Sequence, residues 1–140
     1  MKETEELLRK GGITPTPVRI LVCKCLQESL MPLSLSEIEM KLESVDKSTV
    51  SRTLSTFKKQ HFVHSFNDGS GSVKYELCKS HDHEIYNDVH VHFRCEKCCV
   101  TRCLAEIPIP KVELPKEFEI HEVSYVITGI CSECSKQKKD

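Results

Sequence analysis

Two C-x-x-C pairs, Cys95-Glu96-Lys97-Cys98 and Cys131-Ser132-Glu133-Cys134, constrain this chain more than any other feature. Each pair sets two thiolates on one tight turn, the knuckle that tetrahedral zinc takes, with Zn–S near ~2.3 Å. The gap between the pairs exceeds the ~15–20 residues of a compact zinc ribbon. The intervening segment must therefore fold, as strands, to bring the knuckles together. Four thiolates leave no open coordination position, which points to a structural ion rather than a catalytic one. A dithiol redox pair at either motif is the alternative chemistry.

The remaining composition narrows the setting. The nine Cys are an odd number, which a fully paired disulfide framework cannot use. Met1 to Glu6 is acidic and lacks the apolar stretch of a secretory signal. The expectation is a cytoplasmic protein, in a reducing compartment where Cys pairs mean metal or redox chemistry. The longest apolar runs, such as Ile20 to Cys23, fall far short of the ~20 residues that span a membrane. Net charge is −1, with 12 Lys/Arg against 10 Asp/Glu in residues 1–80 and 8 against 11 in the rest. That weak asymmetry permits a nucleic-acid partner for the first half without requiring one.

The two halves differ in kind. Residues 1–77 hold two Cys and two His, whereas residues 78–140 hold seven Cys and five His. The first half reads as helices followed by a hairpin. Thr16-Pro17 is a helix start, with a capping hydroxyl and Pro at the first helical position. Val18, Leu21, Val22, Cys25 and Leu26 follow as an apolar stripe at helical spacing. Ser34-Leu35-Ser36-Glu37 is a capping box ahead of a stripe of Leu35, Ile38 and Leu42. Asp46 is the expected cap of a third helix, with Val50, Leu54 and Phe57 on one face. Two β-rich runs, Phe62 to Phe66 and Ser72 to Leu77, flank the polar turn Asn67 to Gly71. Three helices and a hairpin make a winged-helix arrangement, which suits DNA binding. The second half reads as short strands, at His90 to Arg94 and within Ile120 to Thr128. Pro108, Pro110 and Pro115 exclude a long helix between them.

A second metal centre is legible beside the first. His90 and His92 are two apart on a strand, so both imidazoles share a face. Cys103, on what reads as the next strand, can complete a set with them. His83 is a further regulatory candidate in the segment between the halves, where His81, Glu84 and the nearby Glu76 add to the choice. His61, His64 and His121 read as structural or surface residues. No triad, phosphate loop or metallohydrolase motif stands out, so the chain is not read as an enzyme and no small-molecule substrate is expected.

The residues from about 7 to 134 resemble the ferric uptake regulator family of metal-sensing repressors. Gly12 to Arg19 is similar to its G-L-x-x-T-x-x-R opening, and Leu33 to Ile38 to its V-S-A-E-x-I/L segment. Ser48 to Leu54 resembles A-T-V-Y-R-T-L, and Tyr75-Glu76-Leu77 resembles Y/F-E-L. His90 to Cys98 matches H-x-H-x-x-C-x-x-C, and Gly129 to Cys134 matches G-x-C-x-x-C. The resemblance implies an α+β homodimer. Residues 1–80 would form a winged-helix DNA-binding domain, 81–88 a hinge and 89–140 a small, mostly β dimerisation domain with structural zinc. It implies a palindromic double-stranded DNA operator, with Arg19, Thr49, Ser51 and Arg52 as candidate DNA contacts.

Departures from the family pattern are specific. Ser51 stands where Tyr is usual, and Thr14 where a basic residue is frequent. Pro32 occupies the place of a His ligand, Cys103 that of an acidic ligand, and Cys99 that of a Gly. Exchanging a carboxylate for a thiolate beside imidazole favours zinc over iron or manganese. The reading is a zinc-sensing repressor of metal-homeostasis genes, with iron sensing and peroxide or redox sensing as the alternatives.

Overall fold

The computed structural model describes residues 2–78, 90–121 and 123–136. Helix α1 (Lys2–Lys10) precedes the expected helices α2 (Pro17–Glu28), α3 (Leu35–Lys41) and α4 (Lys47–Lys59). Three strands complete the first half: β1 (Leu33–Ser34), β2 (Val63–Asn67) and β3 (Val73–Leu77). The second half carries β4 (Val91–Cys95), β5 (Thr101–Leu104), β6 (Tyr125–Gly129) and α5 (Ser132–Lys136). Among the described residues, no helix is long and apolar enough to cross a membrane.

Local chemistry accounts for the helix boundaries. Thr16 lies in the β region and its Oγ1 accepts from Arg19 N at 3.3 Å, with Pro17 opening α2. The α3 capping box closes in both directions, Glu37 N to Ser34 Oγ at 3.2 Å and Ser34 N to Glu37 Oε1 at 3.0 Å. Asp46 precedes α4 but makes no side-chain cap; its carboxylate takes the Ser48 hydroxyl instead. α1 was not expected from the sequence. It ends in Gly11-Gly12, where Gly12 at φ +77° lets Ile13 N reach back to Leu8 O at 2.9 Å. This left-handed stop suits a residue without Cβ.

The first core lies where α1, α2 and α4 meet. Leu8, Val22, Cys23, Val50 and Phe57 are fully buried, and Phe62 meets Phe57 edge-on at 5.0 Å between ring centres. The stripe expected on α2 holds at Val18, Val22, Cys25 and Leu26 and is widened by Cys23, which faces the core, while Leu21 is 40% exposed. α1 packs against α2 on the Cys23 side: Thr4 Oγ1 donates to Gln27 Oε1 at 2.8 Å, and Cys23 Sγ lies 3.9 Å from the same oxygen.

The hairpin forms as expected, and β1 adds on the far side of β3, in the order β1-β3-β2. Its register sets His64 opposite Glu76. The second sheet has the order β5-β4-β6. β4 pairs antiparallel with β5, setting His92 opposite Cys103. It pairs parallel with β6, setting Cys95 opposite Gly129. The β-rich run from Ile120 thus forms a strand only from Tyr125. The segment between β5 and β6 carries no helix in its described residues and exposes Val112, Leu114 and Phe118. The buried centre of the second half is the cysteines themselves, Cys95, Cys131 and Cys134, with Phe93 and Ile130 against them.

Candidate metal centres and nucleic-acid face

Parallel pairing of β4 and β6 delivers both knuckles to the same end of the sheet. Cys95 closes β4, and Cys99 N returns to Cys95 O at 2.9 Å to form the first knuckle. Cys131 follows β6 and Cys134 lies on α5. The four sulfurs lie within 4.8 Å of one another, with Cys98 Sγ to Cys131 Sγ at 3.9 Å. Tetrahedral zinc with ~2.3 Å bonds needs sulfurs about 3.8 Å apart, so the set fits that ion.

The thiols are electrostatically unequal. Backbone N–H groups of Cys131 and Cys98 point at Cys95 Sγ and bring its pKa down to about 6. Burial, together with the three neighbouring thiols, pushes Cys134 up to about 12. Four thiolates cannot crowd together without a cation, and a zinc ion supplies the missing charge.

The second cluster joins the wing to the second sheet. His64 on β2, Glu76 on β3 and His92 on β4 bring three ligand atoms within 4.8 Å of one another. Glu76 Oε2 is 2.7 Å from His92 Nε2 and 3.4 Å from His64 Nε2. His64 Nε2 is buried, with the Glu76 carboxylate at 3.4 Å but not in a formed hydrogen bond. A buried imidazole nitrogen in this state, beside a carboxylate and a second imidazole, is the donor set a divalent cation would satisfy.

Thiols flank the cluster on both sides. Cys78 Sγ lies 3.5 Å from His64 Nδ1, and Cys103 hydrogen-bonds Glu76. His90 is close as well, its ring centre 6.1 Å from that of His64. Phe66 stacks on His92 at 3.8 Å. Burial would raise the Glu76 pKa, but His64, His92 and the Cys103 thiol together hold it well below the usual carboxylate range.

Of the residues expected at this centre, Glu76 and His92 are in the cluster, and His90 and Cys103 lie beside it. His81, His83 and Glu84 lie outside the described residues. His64, read from the sequence as structural or surface, stands inside the cluster instead, as Cys78 stands beside it. The signal for His64 lay in the hairpin: counting residues back from each side of its turn sets His64 across from Glu76.

The expected DNA contacts fall on one helix and the start of another. Ser51 and Arg52 are exposed on α4, and Arg52 Nη2 approaches Thr49 Oγ1 at 3.4 Å. Arg19, on the first turn of α2, donates through Nη1 to Thr14 O at 2.9 Å. Thr53 and Val50 turn inward, Thr53 bonding the Thr49 carbonyl, and Ser51 and Arg52 face outward.

Comparison with known proteins places this arrangement. A curated relative, the peroxide operon regulator of Bacillus subtilis (strain 168), is 23% identical over 149 residues, covering 99% of this chain and 95% of its own length. A solved zinc uptake regulator, complexed with zinc and DNA, superposes with a TM-score of 0.67 at 17% identity, covering 99% of this chain and 95% of that one. The ferric uptake regulator of Vibrio cholerae superposes with a TM-score of 0.60 at 19% identity, covering 91% and 98%. These likenesses share one fold that runs through both halves of the chain. The model of the ferric uptake regulator family matches residues 10–128, and the chain belongs to that family of metal-responsive transcriptional regulators.

Proposed function

We propose that this protein is a zinc-responsive repressor, which binds a palindromic operator as a homodimer. Residues 1–80 are assigned to DNA binding, 81–88 to the hinge and 89–140 to dimerisation. Cys95, Cys98, Cys131 and Cys134 are assigned to the structural zinc. The regulatory ion is assigned to His64, Glu76 and His92, with His90, Cys78 and Cys103 adjoining. The observation that carries the reading is the pair of thiols, Cys78 and Cys103, beside a centre of imidazole and carboxylate drawn from two sheets: a thiolate brought into that set would favour zinc over iron or manganese.

The mechanism follows from which sheets contribute. His64 and Glu76 belong to the wing, and His92 to the second sheet. Both sheets would hold the ion, and since His64, Glu76 and His92 meet only in the closed placement of the two halves, binding there would shift the population toward closure. In a dimer, one closed placement sets two α4 helices at the ~34 Å spacing of successive major grooves. Arg52 and Thr49 then meet base edges or phosphates, and Arg19 the backbone. Ser51 offers a small hydroxyl in place of an aromatic contact.

The test combines metal counting with DNA selection. Wild type loaded with zinc and buffer-exchanged should retain two zinc ions per protomer, one for each cluster. It should enrich palindromic sequences from a randomised duplex pool only when the second ion is present. His64→Ala and His92→Ala should each retain one zinc, stay folded, and lose zinc-dependent DNA affinity by about 100-fold. One zinc per protomer in wild type, whatever the loading, would overturn the reading. Anaerobic Fe(II) retained in preference to zinc would reassign the signal to iron.

A further inference from the structure

The wing is fastened to the second sheet at another place, away from the metal-ligand cluster. Asp68 opens the polar turn of the hairpin, yet it is fully buried. Its carboxylate accepts from Ser70 N at 3.0 Å and from the Ser70 hydroxyl at 2.5 Å. It also accepts from the Thr101 hydroxyl on β5 at 2.5 Å. Thr101 is itself buried, at 4% exposure. Lys74 Nζ stands 4.0 Å from Asp68 Oδ2 and donates to Glu37 Oε1 at 3.1 Å. The same Glu37 oxygen accepts from Ser34 N in the α3 capping box. A continuous polar line therefore runs from the start of α3, through the wing, to β5.

Two features of this line stand out. A hairpin turn normally leaves such an Asp in water, satisfied by its own turn as Asp68 is by Ser70. Here a carboxylate has been desolvated as well, and that costs free energy unless partners from outside the turn offset it. Thr101 and Lys74 are those partners, and Thr101 belongs to the other sheet. In addition, neither Asp68 nor Thr101 is in the metal-ligand cluster, so their bond requires no ion.

We propose that Asp68 and Thr101 form a metal-independent clasp that holds the wing on the second sheet and positions His64 and Glu76 against His92 before an ion arrives. The proposal rests on reading that cluster as the regulatory metal site. Phe66 stacked on His92 extends the same contact. With the clasp closed, the ion meets ligands already gathered. With it open, part of the binding free energy is spent on closure, and the apparent affinity is the intrinsic one multiplied by the fraction of molecules that are closed. Asp68 and Thr101 are positioning residues: they touch no ligand of the ion, and act by holding the sheets that carry the ligands.

The experiment uses the full chain with the four-thiolate zinc in place. Amide hydrogen exchange across β2 and β3, Ser70 included, is measured with the second centre empty. Zinc affinity at that centre is measured by competition with a chromophoric chelator. Thr101→Val, which keeps the shape and removes the hydroxyl, should speed wing exchange and weaken the second zinc, each by about tenfold, the scale of a lost hydrogen bond to a charge. Thr101→Ser should restore both. Asp68→Asn provides an independent variant should the valine fail to fold, and should also speed wing exchange. Wild-type exchange in both Thr101→Val and Asp68→Asn would overturn the clasp, as would a serine variant no better than valine. Should wild type take up no second zinc, the metal reading falls, and wing exchange alone then decides the clasp.

Discussion

The thiols of Cys95, Cys98, Cys131 and Cys134 all come from one small sheet and its flanking turns, whereas His64, Glu76 and His92 come from two sheets in different halves of the chain. The first set is chemically uniform and is itself the buried centre of its half. The second mixes imidazole and carboxylate, with thiols beside them, and lies against a core built without it. An ion in the first set would therefore substitute for a hydrophobic core too small to hold the sheet alone. An ion in the second would add a tether between parts that already fold. On the proposed reading, ligand provenance, more than ligand number, separates an ion that makes a structure from one that reports a concentration.

The most severe way to break this contrast is to remove one thiol. Cys95→Ala should lose the structural zinc and unfold the second sheet, since zinc binding worth about 10–16 kcal/mol is folding free energy there. Far-UV circular dichroism and zinc content should fall together, while α1 to α4 keep their helical signal. A Cys95→Ala protein with a folded second sheet and only a lost metal response would reverse the two assignments.

Protons sharpen the contrast further. Cys134, held up at about 12, must release a proton to bind metal at neutral pH, whereas Cys95, down at about 6, is already ionised. Glu76, held low, is ionised as well. Zinc uptake by the four thiols should thus release more protons than uptake at the mixed centre, and its affinity should fall more steeply as pH drops. Calorimetric titration in two buffers of different ionisation enthalpy reads the difference. Equal release at both centres would mean that thiols, not imidazole and carboxylate, dominate the second.

The smallest expected effect concerns Cys99, at φ +62° after the first knuckle. A side chain in that left-handed region costs about 1 kcal/mol that glycine avoids. Cys99→Gly should stabilise the second half by about that amount in a thermal melt and leave the zinc content unchanged. A loss of zinc would instead make Cys99 part of the metal chemistry.

Much of the first half was legible in the sequence because its signals are local. The Thr16-Pro17 start, the Ser34 to Glu37 box and the glycine-rich turn each act within a few residues. Helix α1 escaped notice because its place depends on Leu8 and Thr4 packing against α2, a tertiary fact. Spacing alone picked out the four thiols. The second centre was half visible: His90, His92 and Cys103 share neighbouring strands, but His64 joins them only once hairpin register and the docking of one sheet on another are known. Strand order in the second sheet was beyond reach for the same reason, since the parallel partner of β4 arrives only after the proline-interrupted span.

That span has a consequence for how this chain can vary. Between Cys98 and Cys131 the backbone forms one strand, crosses a stretch with exposed apolar side chains, and returns as a second strand. The two knuckles, gathered within 4.8 Å at the sulfurs, hold its two ends, so in polymer terms it is a closed loop with fixed ends. Lengthening such a loop is cheap: each doubling costs only about 0.6 kcal/mol of closure entropy. Residues around Lys111 to Lys116 are thus the place where this chain can accept inserted sequence, a reporter or a further recognition element, while both metal centres stay assembled.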